Sequence, residues 1–171
     1  MRKITKKDVL QLIVLVPLTV FLTLNFSPIM FVKLVGHSME PTIQDGQRAI
    51  ALRRQYTQIH RGDLVMAVVT VPEWYVSDHP KSIDSIVEIH IDKRVVGLPG
   101  EQIRLAKGQI YINGKLLDEP YAIPDGITYT DTITLGPNEY YIVGDNRPNS
   151  LDSRSFGPVT IDQIVGKLIV Y

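Results

Sequence analysis

The sequence contains no cysteine. Disulfide bonds and thiolate chemistry are therefore excluded, although the absence of cysteine does not decide the cellular compartment. Excess positive charge is missing as well, because 18 Lys and Arg residues balance 18 Asp and Glu residues. Residues 1–8 hold four basic residues against one acidic residue, so the remaining 14 basic and 17 acidic residues carry a net charge of −3. A slightly acidic body without a basic stripe argues against nucleic acid as a partner.

Charge is absent from residues 9–32, a run of 24 positions. About 20 mostly apolar residues suffice for a helix to cross the hydrocarbon core of a bilayer. The run predicts a transmembrane anchor, kinked at Pro17 and ended near Pro28. The basic residues before it predict that residues 1–8 are cytoplasmic and that residues 33–171 form an extracytoplasmic domain. A cleaved secretory signal is the alternative, but the run is long for one and no A-x-A-like site follows it.

No long helical pattern occurs after residue 35, and short strand patterns take its place. They are bounded by turn residues and rich in apolar and β-branched types. Asn113-Gly114 is the favoured two-residue hairpin turn. The fold class predicted is mostly β: a folded β-sheet or barrel-like catalytic domain behind the membrane helix. The predicted strands are residues 48–52, 64–71, 86–96, 109–112, 115–117, 132–135, 140–143 and 164–170.

Residues 72–85 interrupt the series of predicted strands. It is typical of an exposed loop, since long connections usually run over the surface. It also carries Trp74 and Tyr75, whose rings suit a membrane–water interface. The sequence leaves both interpretations open.

Ser38 follows closely on the charge-free run and is a candidate nucleophile. A serine needs a base, and the adjacent His37 is poorly placed because neighbouring side chains of an extended chain point to opposite faces. The other three histidines, His60, His79 and His90, show no spacing typical of a catalytic triad or a metal site. The sequence thus indicates no metal site and no cofactor.

Lys93 is the candidate base. Alternation along the strand predicted at 86–96 places it on the same face as Ile89, Ile91 and Val95, where it is the single charge. Two interpretations follow from the residues alone. The lysine either extends its amine to water at the edge of the sheet, or it is buried and neutral at working pH, as lysine general bases are.

Four separated motifs resemble the type I signal peptidase (leader peptidase) family, in the family's order and spacing. They are SMEPT at 38–42, RGDLV at 61–65, KRVVGLPG at 93–100 and GDNRPNSLDSR at 144–154. The resemblance extends from the predicted anchor to near the carboxy terminus. It implies a membrane-bound serine endopeptidase that removes signal peptides from secreted preproteins, with the lipid bilayer as its other partner.

The resemblance also implies roles for individual residues. Ser38 would attack the scissile carbonyl and Lys93 would act as its general base. Ser150 resembles the family residue that hydrogen-bonds the lysine. Arg94, Asp152 and Arg154 resemble the ion-pair group that supports the site. For Asp145 and Arg147 turn formation is the preferred interpretation.

The oxyanion hole is expected to involve backbone near Gly36 and Ser38. Some family members carry a serine two residues before the nucleophile, whereas this chain has Gly36, as do the Gram-positive relatives. The hole would then depend on backbone N–H groups, including that of Ser38.

Two alternatives are related to this interpretation. A factor dedicated to processing pilins or assembling pili, with or without catalysis, would share the fold; the presence of both Ser38 and Lys93 disfavours a non-catalytic form. A self-cleaving DNA-binding repressor would share the Ser–Lys pair, but the charge-free run stands where its basic DNA-binding unit should be.

Overall fold

The computed structural model describes residues 5, 11–20, 27–126 and 130–171. Among these, eleven strands form two antiparallel sheets. The strands are β1 Ile29–Lys33, β2 Arg48–Arg53, β3 Leu64–Pro72, β4 Ile86–Gly97, β5 Gln102–Ala106, β6 Gln109–Ile112, β7 Lys115–Leu116, β8 Asp131–Thr134, β9 Glu139–Val143, β10 Val159–Thr160 and β11 Ile164–Val170. The mostly β class is confirmed.

The larger sheet has seven strands in the order β1-β2-β11-β3-β4-β9-β10, and the smaller has four in the order β7-β6-β5-β8. Neither closes on itself, so the sheets are folded rather than barrel-forming. The longest pairing joins β3 to β4, from Leu64 opposite Arg94 to Pro72 opposite Ile86. This pairing sets the position of the strand that carries Lys93.

All eight predicted strands correspond to observed strands whose bounds agree within one residue, and three observed strands were not predicted. Residues 109–112 and 164–170 are strands as predicted, and residues 86–96 differ by one residue from β4. The predicted Asn113-Gly114 turn is confirmed, since both residues have positive φ, 50° and 81°. The strands β1, β5 and β10 were missed because β10 has two residues, β5 is interrupted by polar residues, and β1 lies within the predicted anchor.

The predicted anchor, residues 9–32, falls partly outside the described residues. Residues 11–20 are helical, and the final part of the run belongs to β1, which pairs with β2 from Ile29 opposite Leu52 to Lys33 opposite Arg48. The placement of residues 29–32 in the anchor was therefore wrong. Within the described part of the chain, no helix meets the length and hydropathy required to cross a membrane.

Three apolar clusters form the core. The first packs β3 and β4 against β9, β10 and β11, and the second lies between β4, β9 and the smaller sheet. The third includes Leu34, Met39 and Ile43 together with Ala49, Ala51 and Leu168. Met39 directly follows Ser38, so the third cluster fixes the backbone beside the candidate nucleophile.

The connection between β3 and β4 is an ordered loop rather than an open coil. Glu73–Tyr75 is one turn of 3₁₀ helix, and the Ser85 hydroxyl donates to the Glu73 carboxylate at 2.6 Å. The rings of Trp74 and Tyr75 stack with centroids 4.1 Å apart and are 51% and 38% exposed. The prediction of an exposed loop is confirmed.

The packing of β11 provides a test of the fold. A Cβ added at Gly166 would lie 2.3 Å from the backbone oxygen of Leu52 in β2, and backbone cannot move aside cheaply. We expect Gly166→Ala to lower the free energy of unfolding by about 1–3 kcal/mol, measured by thermal or denaturant unfolding.

The matched control is Gly136→Ala, whose Cβ would lie 3.2 Å from the Glu139 carboxylate, the end of a side chain that can shift. If Gly166→Ala were as stable as this control, the β2–β11 pairing would be wrong.

Candidate active site

Lys93 is buried on β4. The side chains of Ile91, Lys93 and Val95 alternate inward along the strand, and Lys93 is 3% exposed. Its cross-strand neighbour is Val65, which is fully buried. The predicted apolar face is confirmed, and the interpretation of a lysine reaching water at the sheet edge is wrong.

Ser38 lies in a turn that the loop after β9 holds in place. The backbone N–H of Asn146 donates to the Ser38 carbonyl at 3.0 Å, and the Asn146 side chain donates to the His37 carbonyl at 3.0 Å. One residue further on, Met39 is 3% exposed. The turn is thus fixed from one side by hydrogen bonds and from the other by the apolar core.

These two elements bring the serine and the lysine together. Lys93 Nζ donates a hydrogen bond to Ser38 Oγ at 2.7 Å and another to the carbonyl oxygen of Asp92 at 3.0 Å. Desolvation by burial lowers the pKa of Lys93 to about 8, against the opposing effect of the Asp152 and Asp92 carboxylates. An appreciable fraction of the amine is therefore neutral, and able to accept a proton, near neutral pH.

The neighbouring histidine takes no part in this contact. His37 Nδ1 lies 3.0 Å from Glu40 Oε1, and the His37 side chain is 66% exposed. The hydrogen bond with Glu40 raises the pKa of His37. Its position agrees with the argument that His37 is poorly oriented to serve Ser38.

Asp152 is the centre of a buried hydrogen-bond network behind the lysine. It accepts from the Ser150 hydroxyl at 2.6 Å, from the Gly144 N–H at 2.9 Å and from the Arg154 guanidinium at 2.8 Å. Its exposed fraction is 0%. The expected ion pair of Asp152 with Arg154 is therefore present.

Ser150 differs from the expectation. It was expected to hydrogen-bond Lys93, but its hydroxyl proton goes to Asp152. A hydroxyl has one proton to donate, and a buried carboxylate is the stronger acceptor. Ser150 therefore acts on Asp152, and Asp152 acts on the lysine through its charge.

Arg94 also differs, since it pairs with Asp145 and not with Asp152. The contact is bidentate, with Nε–Oδ1 at 2.8 Å and Nη2–Oδ2 at 2.6 Å. Thr42 donates to the same carboxylate. Asp145 lies at a bend, as the preferred turn interpretation implies, but its side chain is 0% exposed and its ion pair with Arg94 was not predicted. This pair ties β4 and the Ser38 turn to the loop after β9.

A segment that the sequence analysis did not single out completes the support. We call residues 118–126 the strap. Its Glu119 pairs with Arg147 and its Asp125 pairs with Arg154, both at 2.5 Å and both buried. Ile123 forms a parallel bridge with Asn146. The Arg94 guanidinium lies over the Tyr121 ring, with Cζ 3.9 Å from the ring centroid. Arg147 does begin a 3₁₀ turn, Arg147–Asn149, in agreement with the turn interpretation, but its buried pairing with Glu119 was not predicted, because no periodicity in the strap signals these pairings.

Of the two backbone N–H groups at the expected oxyanion hole, one is already engaged in a hydrogen bond. Gly36 has φ 109°, and its N–H donates to Asp45 Oδ1 at 2.8 Å. The hydrogen bonds found among the described residues include none from the Ser38 N–H. Of the two expected positions, Ser38 keeps its donor available and Gly36 does not.

Ser38 and Lys93 open into a cleft of about 410 Å³. Apolar residues, among them Leu34, Met39 and Ile91, make up slightly more than half of its lining, and Asp92 also belongs to the lining. A serine hydroxyl bonded to a buried lysine amine beside such a cleft is the arrangement used by the Ser–Lys class of serine hydrolases.

Comparisons with known proteins agree with this class. Residues 6–171 match the family described as signal peptidase, peptidase S26, and the chain belongs to this family. Signal peptidase I S of Bacillus subtilis is 32% identical over 97% of this chain and 91% of its own length. A probable signal peptidase I-2 of Synechocystis is 35% identical over 78% of this chain, and that match spans 58% of the relative.

A solved signal peptidase I from Enterococcus faecalis is 27% identical. It superposes with a TM-score of 0.49 over 66% of this chain and 98% of that one. The family assignment rests on the sequence matches.

The buried Arg94–Asp145 pair gives a testable consequence. Removing one partner leaves an uncompensated buried charge, so we expect Asp145→Ala to cost about 3–5 kcal/mol of stability. Asp162→Ala is the control, because it breaks an exposed pair with Arg54 whose carboxylate side is 84% exposed, worth at most about 1 kcal/mol. Equal unfolding midpoints for the two variants would contradict the assigned importance of the buried pair.

Proposed function

We propose that this protein is a membrane-bound serine endopeptidase that removes signal peptides from secreted preproteins with a Ser38–Lys93 dyad. The observation that carries the proposal is the 2.7 Å hydrogen bond between Lys93 Nζ and Ser38 Oγ at a buried position. The family assignment supplies the class of substrate.

The proposed reaction begins with neutral Lys93. It accepts the Ser38 proton as Oγ attacks the scissile carbonyl carbon, and the Ser38 N–H donates to the oxyanion that forms. The resulting ammonium then protonates the leaving amine, so the peptide bond breaks and an acyl-enzyme remains. Lys93 next takes a proton from a water molecule that attacks the ester, and it returns this proton to Ser38.

Charge balance around the lysine suits this cycle. Burial lowers the pKa of Lys93, while the Asp152 carboxylate partly offsets that effect. The ammonium that exists between the two proton transfers is therefore stabilised without being the dominant resting form at mildly alkaline pH. Ser150 and Arg154 hold Asp152 in position for this task.

The membrane part of the proposal depends on the sequence. The charge-free run in residues 9–32 and the basic residues before it favour an anchor with a cytoplasmic amino terminus and an extracytoplasmic catalytic domain. Ser38 follows β1 closely, and the exposed Trp74 and Tyr75 rings suit a membrane interface. Such a site would meet a substrate that is itself held in the bilayer by its signal peptide.

The dyad is tested with purified full-length protein in detergent and a preprotein substrate. We expect Ser38→Ala and Lys93→Ala each to lower kcat/KM by at least about 10⁴-fold, because nucleophile and base act as one unit.

Ser82→Ala and Lys115→Ala, both exposed, are matched controls and should cleave like the wild type. Cleavage retained by Lys93→Ala would refute the dyad. A wild type that cleaves no preprotein would instead favour the non-catalytic assembly factor.

The pH dependence follows from the state of Lys93. Only the neutral amine accepts the Ser38 proton, so kcat/KM should rise with pH until it levels off above the Lys93 pKa of about 8. Circular dichroism over the same range controls for unfolding. Activity that is constant from pH 5 to 10 would exclude Lys93 as the titrating base.

A further inference from the structure

Arg154 is shared between two buried carboxylates. Its Nε and Nη2 atoms donate to Asp152 at 2.8 Å each, and its Nη1 atom donates to Oδ2 of Asp125 in the strap at 2.5 Å. All three side chains are buried. The proposed reaction uses the charge of Asp152, whereas Asp125 has no task in it.

Asp125 lies outside the cleft that holds Ser38 and Lys93. Together with Arg154 it borders Leu105 and Ile110 of the smaller sheet, so it is not placed to touch a substrate bound in the cleft. Because the carboxylate is buried beside apolar side chains, water and salt screen its charge poorly. An effect of Asp125 on the reaction would therefore be electrostatic and pass through Arg154.

The charges of this group leave one negative charge in excess, because the two carboxylates of Asp125 and Asp152 share the single guanidinium of Arg154. Besides the desolvation that lowers the pKa of Lys93, the Asp152 charge raises it and the Arg154 charge lowers it. When Lys93 takes the Ser38 proton, its ammonium brings the group to neutrality. Without the charge of Asp125, the same transfer would create a net positive charge, which is unfavourable at a buried site.

Other titratable groups on the elements around Lys93 are weakened, paired or exposed. Burial favours the neutral form of Asp92, because it raises the pKa of that carboxyl. β3 carries no charged residue, and Glu139 on β9 accepts from the Gly136 N–H. Further groups include the exposed Glu88 and His90 of β4 and the pairs of His37 with Glu40, Arg94 with Asp145, Asp63 with Lys167 and Glu119 with Arg147.

We propose that Asp125 is a positioning residue for Lys93. By sharing Arg154 with Asp152, it preserves an excess negative charge beside the lysine, and this charge stabilises the ammonium that forms when Lys93 takes the Ser38 proton. The inference rests on the proposed function for the role of that ammonium in cleavage. It gives the strap a part in the reaction, beyond its part in holding the loop after β9.

The test is the ionisation of Lys93 in Asp125→Asn, which removes the charge but keeps the size of the side chain and an acceptor oxygen. In full-length protein in detergent, the midpoint is measured from the pH dependence of kcat/KM for a preprotein and from the NMR signal of ¹³C-labelled Lys93. We expect both midpoints to fall by roughly 0.5–1 unit from the wild-type value of about 8, because the ammonium loses a source of stabilisation.

Three further variants sharpen the result. Asp125→Glu keeps the charge and should keep the wild-type midpoint. Asp125→Ser removes the charge from a smaller side chain and carries the test if Asp125→Asn does not fold. Glu119→Gln is the matched control: it alters the other buried pair of the strap, whose Arg147 donates to Glu119 and to the Gly144 carbonyl rather than to Asp152. This control should keep the wild-type midpoint even where it lowers stability.

The outcomes separate the inference from the function beneath it. If Asp125 is only structural, Asp125→Asn lowers the unfolding temperature and the plateau of kcat/KM but leaves both midpoints unchanged, and that result overturns the inference. An equal shift in Asp125→Glu or in Glu119→Gln would overturn it as well, because the charge of Asp125 would not be the cause. If the wild type cleaves no preprotein, the proposed function is wrong, and the NMR midpoints still decide whether Asp125 acts on the lysine.

Discussion

The structure depends on the burial of one charged group, the amine of Lys93. An apolar strand face surrounds it, and its nearest partners are a serine hydroxyl and a backbone carbonyl. In water this amine would be protonated at any ordinary pH, whereas burial brings its pKa to about 8. The same desolvation that costs folding free energy thus creates a group able to take a proton from Ser38.

The surrounding ion pairs hold this arrangement in place. The pair of Arg94 and Asp145 joins β4 to the loop after β9. Arg154 holds the carboxylate of Asp152, whose charge acts on the lysine. The strap adds two more buried pairs, Glu119 with Arg147 and Asp125 with Arg154. Breaking one buried pair would lower the stability of the fold, because each arginine or carboxylate removed leaves its partner as a buried charge without compensation.

Much of this could be predicted from the sequence because it depends on local periodicity. Alternation in β4 placed Lys93 on an apolar face, and Asn113-Gly114 fixed a hairpin. Which side chains form ion pairs or hydrogen bonds with one another could not be predicted in the same way. Arg94 pairs with Asp145 rather than Asp152, and Ser150 bonds Asp152 rather than Lys93, since these choices depend on how distant loops pack. The strand β1 was not predicted, because its apolar residues continue the charge-free run.

The most direct test of the account is a titration of Lys93 in the intact protein in detergent. Lysine labelled with ¹³C at Cε reports the charge of each amine, and the Lys93 signal is identified by its absence in Lys93→Met. The account predicts a midpoint near pH 8. A midpoint at the ordinary value of 10.5 or above would contradict it, because the amine would then be protonated whenever the enzyme works.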